Sequence, residues 1–230
     1  MSEQQQVKRW FDANYKKKGF QYLRPLEAYG IYAKLLQLRP TQTLLDVACG
    51  PGLMLRQALD HGAHALGVDI SEAAIEMAQS YVPEAETRVG NAEALPFADH
   101  SADAVTCLGS LERMLDLDAV LKEIHRVGKP DATFCFLVRN SQTVWWTLVA
   151  EKLGFRNTEG HQGANTLEAW QARFEANQFK LLAVYPDQWP FVRAGQVATL
   201  GLYKPDPLKL RRGFRPLRRA YEFVFVLRKK

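Results

Sequence analysis

The chain predicts an α/β fold in which a mostly parallel sheet is wound with helices on both faces, and three observations predict it. An apolar run, Leu44-Leu45-Asp46-Val47-Ala48-Cys49, breaks on a tight Gly50-Pro51-Gly52 turn, and Leu53 to Leu59 then reads as a helix. A second short apolar segment, His64 to Asp69, again ends in an acid and precedes an alanine-rich helical stretch through Tyr81. Beyond it, strand-like and helix-like segments keep alternating, the pattern of βα units rather than of hairpins.

The elements follow in order. Met1 to Gln6 is polar and lacks the apolar stretch of a signal peptide. Trp10 to Tyr15 and Phe20 to Tyr22 form an unusually aromatic segment before a helix running into Leu38. The first strand delivers its backbone to the glycine turn, where Gly50 and Gly52 let the main chain approach a ligand without a Cβ in the way. Asp46 changes the expected charge of that ligand. A carboxylate there would repel a pyrophosphate and attract an ammonium group. The dinucleotide fingerprint is also incomplete, since Leu53, Met54 and Leu55 follow Gly52 with no third glycine.

Asp69 ends the second strand roughly 20 residues beyond the turn, where an acid grips a ribose diol. Capping of the following helix falls more naturally to Ser71, which with Ala74 three residues on forms no capping box. Ala85 to Gly90 reads as the third strand and Ala102 to Leu108 as the fourth, so Leu108 to Arg113 should face the ligand. A helix over Asp116 to Val127, a strand over Thr133 to Val138, a helix over Thr166 to Asn177 and a strand over Phe179 to Tyr185 come next. Tyr221 to Leu227 is β-branched and aromatic, which suits a last strand buried on both faces.

The stretch Asp46-Val47-Ala48-Cys49-Gly50-Pro51-Gly52 resembles motif I of the class I S-adenosylmethionine (SAM) methyltransferases, in the form common among those acting on small molecules and quinones. The resemblance is specific over roughly residues 40–140 and rests on element order elsewhere. It implies a Rossmann-like sheet of seven strands with an antiparallel last strand. It also implies SAM as methyl donor, S-adenosylhomocysteine as product, and no metal. Asp46, Gly50 and Gly52 would shape the methionine end and Asp69 the ribose, with Ala48, Ile70 and Leu108 among the other cofactor-binding residues.

Asn91-Ala92-Glu93-Ala94-Leu95-Pro96-Phe97 is similar to the family's adenine segment, whose acid is replaced here by Asn91. The Asn91 amide oxygen can still accept from the adenine amino group, with Ala92 beside the ring; a plain turn is the other reading. Arg113 stands where relatives usually have a histidine. Guanidinium cannot act as a base, so Arg113 meets an anionic group or is structural. Glu112 beside it is read as a nearby acid or as a solvated helix-start carboxylate. Lys129-Pro130-Asp131-Ala132 keeps the family's turn before the fifth strand but not its glycines.

Length and composition agree with this. The 230 residues, 47% hydrophobic, suffice for one large α/β domain spanning 1–230. Within it, 1–40 would be a helical cover, 140–165 a substrate-side insertion and 204–220 a basic segment before the last strand. Cys49, Cys107 and Cys135 lie in or beside strands without metal-ligand spacing, which predicts reduced core thiols in a cytoplasmic protein. No apolar run approaches the roughly 18 residues of a membrane span. From Lys204 onward 10 Lys/Arg stand against 2 Asp/Glu, whereas the first 203 residues carry 20 against 23, so the basic character belongs to the tail. That tail is read either as an interfacial segment, able to hold the protein at the inner membrane face, or as a basic connection.

The acceptor is expected to be small or lipid-like, aromatic or quinone-like. Trp145-Trp146 and Trp189-Pro190-Phe191 could receive it, and Tyr15 and Tyr22 could close over it. Methyl transfer is an in-line displacement governed by positioning and desolvation, so a base is needed only for a protonated acceptor. His161, in the polar Gly160-His161-Gln162-Gly163, is the candidate base, with a surface histidine as the other reading. Two alternatives stand beside this. One is an RNA methyltransferase, suggested by the tail but lacking an Asn-Pro-Pro-aromatic motif; the other is a non-catalytic SAM-binding protein docking through the tail.

Overall fold

The computed structural model describes residues 2–143, 163–187, 189 and 217–230. Within them, β1 (Thr43–Val47), β2 (His64–Asp69), β3 (Glu86–Val89), β4 (Ala102–Leu108), β5 (Gly128–Arg139), β6 (Phe179–Pro186) and β7 (Glu222–Lys229) build one sheet. Its order is β3-β2-β1-β4-β5-β7-β6. Every pair from β3 to β5 is parallel, and β7 runs antiparallel between β5 and β6. The strand order reverses between β1 and β4, so a crevice opens beyond their carboxyl ends, where open α/β sheets bind ligands.

Six helices accompany the sheet among the described residues: α1 (Glu3–Lys18), α2 (Gly30–Leu36), α3 (Leu53–Asp60), α4 (Glu72–Tyr81), α5 (Leu117–Val127) and α6 (Leu167–Ala176). Alternate strand residues serve the two faces, as the two-residue period requires. Leu45, Val105, Phe134, Phe136 and Phe225 pack toward α5 and α6 with Leu121, Ile124, Trp170 and Phe174. Leu44, Ala104, Cys135, Leu137 and Val224 pack toward α2, α3 and α4 with Tyr32, Met54, Leu55 and Ile75. The sheet is therefore wound on both faces, as the alternation predicts. Cys49, Cys107 and Cys135 are free and buried.

The sequence reading fails at one element. Lys129-Pro130-Asp131-Ala132, expected as a turn before the fifth strand, lies inside β5 as a break in its register with β4. Ala102 pairs with Gly128 and Ala104 with Thr133, so these four residues stand opposite Asp103 alone. Proline has no N–H for the ladder, and Asp103 takes over by accepting from Lys129 Nζ at 2.7 Å and from Thr43 N at 2.8 Å.

Glu3–Lys18 is one helix, begun by a capping box in which Ser2 and Gln5 satisfy each other's backbone N–H. The aromatic segment Trp10 to Tyr15 is thus helical and crosses the mouth of the crevice. No helix among the described residues is long and apolar enough to cross a membrane. Trp145, Trp146, His161, Pro190, Phe191 and the 204–216 part of the basic segment lie outside the described residues.

Candidate active site

The crevice is shaped by three residues in left-handed backbone, Ala48 (φ 58), Gly50 (φ 53) and Gly52 (φ 88), which turn the chain from β1 into α3. Gly52 is the N-cap of α3, and a Cβ on it would lie 2.7 Å from Val82 Cγ2. Helix packing and backbone shape therefore account for Gly52, which lines neither cavity described below and differs in this from the expected ligand contact. Gly50 does face the crevice.

Two adjoining cavities occupy the crevice. The smaller lies under α1 and takes Ala48, Asp69, Ile70, Asn91 and Ala92 into its wall, opposite Val7, Phe11 and Tyr15. The larger, about 430 Å³, is walled by Asp46, Cys49, Gly50, Leu108 and Ser110. Ala48, Phe11, Tyr15, Ser110 and Arg113 belong to both walls, so the cavities meet at the motif I turn. Eight of the nine residues expected to meet a cofactor are thereby gathered in one place.

The electrostatics divide along the same line. Asp46 is 4% exposed and accepts from Thr106 Oγ1 at 2.6 Å; burial pushes its pKa up to about 7, against that hydrogen bond and with the help of Asp69. Asp69 is also buried and lies at about 6, raised by burial and held down by the N–H groups it accepts. Its Oδ2 accepts from Gly50 N and its Oδ1 from Ser71 N, each at 2.9 Å. Asp69 therefore ties the glycine turn to the start of α4 in addition to bordering the smaller cavity, a tie its position in the sequence did not reveal. Ser71 caps α4 through Ala74 N, as read from sequence.

Asn91 makes a local turn at the edge of the smaller cavity. Its Oδ1 accepts from Glu93 N at 3.1 Å, a local Asx turn, and the residue still lines the smaller cavity. Glu93 accepts from Gln4 Nε2 at 2.7 Å, and Asp12 accepts from Ser71 Oγ at 2.6 Å and Ala73 N at 3.2 Å. These contacts latch α1 over the crevice. Arg113 also engages α1, its guanidinium 5.8 Å from the Trp10 ring and 5.7 Å from that of Phe11.

Glu112 corrects the solvated reading. Its side chain is 0% exposed, and among the described residues neither carboxylate oxygen is hydrogen-bonded. Burial raises its pKa, opposed by the charge of Arg139, whose Nε lies 3.5 Å away. Arg139 and Glu222 border the larger cavity, and so does Arg24, which pairs with both oxygens of Asp187 at 3.0 Å and also with Glu222. Sequence reasoning missed this charged group, whose members are scattered along the chain and meet only at the strand ends. Its polarity contrasts with the apolar acceptor site expected from Trp145 and Trp146.

Residues 45–136 match the methyltransferase domain model. The chain is 27% identical over 158 residues to the uncharacterized methyltransferase YcgJ of Bacillus subtilis, covering 66% of this chain and 62% of that protein. It is 31% identical over 148 residues to a ubiquinone biosynthesis O-methyltransferase of Hahella chejuensis, covering 61% of each. The matched stretches thus span about three-fifths of the length of these relatives. In structure, the 1,6-didemethyltoxoflavin-N1-methyltransferase of Burkholderia thailandensis superposes with a TM-score of 0.68 at 16% identity, covering 98% of this chain and 88% of that one, and shares the fold. Residues 45–136 of this chain thus match a methyltransferase domain, set on a sheet of the strand order expected for the class I S-adenosylmethionine-dependent methyltransferases.

Proposed function

We propose that the protein transfers a methyl group from SAM to a small-molecule acceptor. The observation that carries the proposal is the pairing of cavities at Ala48, one with a buried carboxylate, Asp46, and one bounded by Asp69, Asn91 and aromatic side chains of α1. SAM has the matching halves, an ammonium-bearing methionine and a flat adenosine. When bound it supplies a methyl group on a positively charged sulfur. Asp46 would hold the ammonium group, which would draw its raised pKa back down. Asp69 would accept from the ribose while keeping the glycine turn in place, and Asn91 with Ala92 would border the adenine. Phe11 and Tyr15 of α1 would exclude water above the reacting atoms. The family relative acting in ubiquinone biosynthesis supports a small acceptor.

Incubation with SAM and a panel of phenols, quinols, carboxylates, lipids and RNA, followed by S-adenosylhomocysteine release, tests this. Turnover with one small-molecule class and none with RNA is expected. Turnover with RNA alone would contradict it.

A further inference from the structure

We infer that the Ser110 hydroxyl holds the nucleophilic atom of the methyl acceptor, which makes that atom a proton-bearing oxygen or nitrogen. The inference rests on the methyl-transfer reading above. Strand order places Ser110 at a border. The residues assigned to the methionine, ribose and adenine lie at the carboxyl ends of β1, β2 and β3, and the larger cavity continues beyond β4 over Leu137 and Arg139 of β5 and over Tyr221 and Glu222, where β7 begins. That second half is left for the body of the acceptor. Ser110 follows β4, the strand between the two halves.

Five residues belong to both cavity walls, and Ser110 is the one that brings an unspent polar group. Ala48 and Phe11 have no polar side-chain atom, and Tyr15 and Arg113 are engaged by other groups. Ser110 stands just before the short 3-10 turn Leu111–Arg113 without capping it through its side chain, and no other hydrogen bond occupies its hydroxyl among the described residues. Its backbone is fixed. Gly109, at φ 72, turns the chain out of β4 and donates to the Leu137 carbonyl at 2.8 Å, and the Ser110 carbonyl accepts from Arg113 N at 2.9 Å.

A hydroxyl at this border suits the reacting atom of the acceptor. In-line displacement needs a lone pair of that atom aimed along the methyl–sulfur bond. By accepting the atom's own O–H or N–H, Ser110 sets that lone pair toward the methyl group. As the bond to the methyl carbon forms, the electron pair of the carbon–sulfur bond returns to sulfur and the acceptor's proton leaves to water. A carbon nucleophile offers no comparable group. An apolar atom there would cover the hydroxyl, beneath Phe11 of α1, without a partner.

The test is calorimetric titration of the full chain, loaded with S-adenosylhomocysteine, with hydroquinone, catechol and aniline, each beside its fully O- or N-methylated counterpart. At least one proton-bearing probe is expected to bind about fivefold more tightly than its methylated counterpart, the scale of one neutral hydrogen bond. Ser110→Ala should abolish that preference and leave S-adenosylhomocysteine affinity and the melting temperature unchanged, since the side chain caps nothing. Ser110→Thr, which keeps the hydroxyl, should retain part of it. A purely structural Ser110 would move the melting temperature and not the preference. A preference that survives Ser110→Ala, or none with any probe, overturns the inference. So does a loss of S-adenosylhomocysteine affinity in Ser110→Ala, which would give the hydroxyl to the cofactor. Failure of the parent to bind S-adenosylhomocysteine at all would instead overturn the methyl-transfer reading.

Discussion

The hydroxyl of Tyr15 stands where a side chain on residue 50 would begin: a Cβ on Gly50 would lie 2.8 Å from it. Residue 50 also has φ 53, so Gly50→Ala combines left-handed backbone strain with displacement of Tyr15. The backbone part alone should cost about 1–2 kcal/mol, lowering the melting temperature by roughly 2–8 °C in a chain of this size. Adding Tyr15→Phe should recover the contact part and leave the backbone part, which paired thermal melts would resolve.

Asp69 has two tasks, and its variants should separate them. Asp69→Ala leaves the N–H groups of Gly50 and Ser71 without their acceptor, so it should lower stability by about 1–3 kcal/mol for each amide that stays unsatisfied. Asp69→Asn keeps an oxygen for one amide and should be the milder of the two in urea unfolding, with cofactor affinity lowered in both.

Cofactor binding should depend on pH in a defined direction. An ammonium group needs Asp46 ionised, and the free protein holds that proton up to about 7. Affinity for SAM should therefore rise about tenfold per unit as pH approaches 7 from below and then level off, with Asp69 steepening the fall below about 6. Stability of the cofactor-free protein runs the other way. The folded pKa lies above the ordinary 3.8, so this group's contribution is fully present below 3.8 and is lost as pH rises through about 7. Titrations and melts across pH 5–8, with Asp46→Asn as the reference that keeps only the dependence below about 6 contributed by Asp69, would check both signs.

The α1 latch should set the rate of cofactor exchange. Asp12→Ala removes the acceptor for Ser71 Oγ and Ala73 N at the start of α4, a loss of about 1 kcal/mol by analogy with helix caps. Dissociation of S-adenosylhomocysteine in stopped flow should accelerate about fivefold, while Lys34→Ala, away from the latch, should leave it unchanged.

β1, β2 and β4 were legible because each is a short apolar run closed by an acid or a turn, and the strands fall where those runs fall. The strand course through Lys129 to Ala132 was not, since a proline between polar neighbours reads locally as a turn and only pairing with β4 extends the strand. Asp46, Asp69 and Asn91 could be found because motif I and its sequels are local strings. Arg24, Asp187 and Glu222 could not, because Arg24 and Asp187 are 163 positions apart and only the antiparallel pairing of β6 with β7 sets Asp187 beside Glu222. Glu112 carries no local sign of burial. A charged residue on a short turn looks solvated until the end of β5 brings Arg139 beside it.

Calorimetric titration of the parent, Asp46→Asn and Asp69→Asn proteins with S-adenosylhomocysteine at pH 8 tests the central claim most directly. The paired cavities predict one site per chain in the parent and affinity lowered about tenfold or more in Asp46→Asn, the scale of a charge-assisted hydrogen bond. Absence of binding in a folded parent, or an Asp46→Asn protein that titrates like it, would contradict the account.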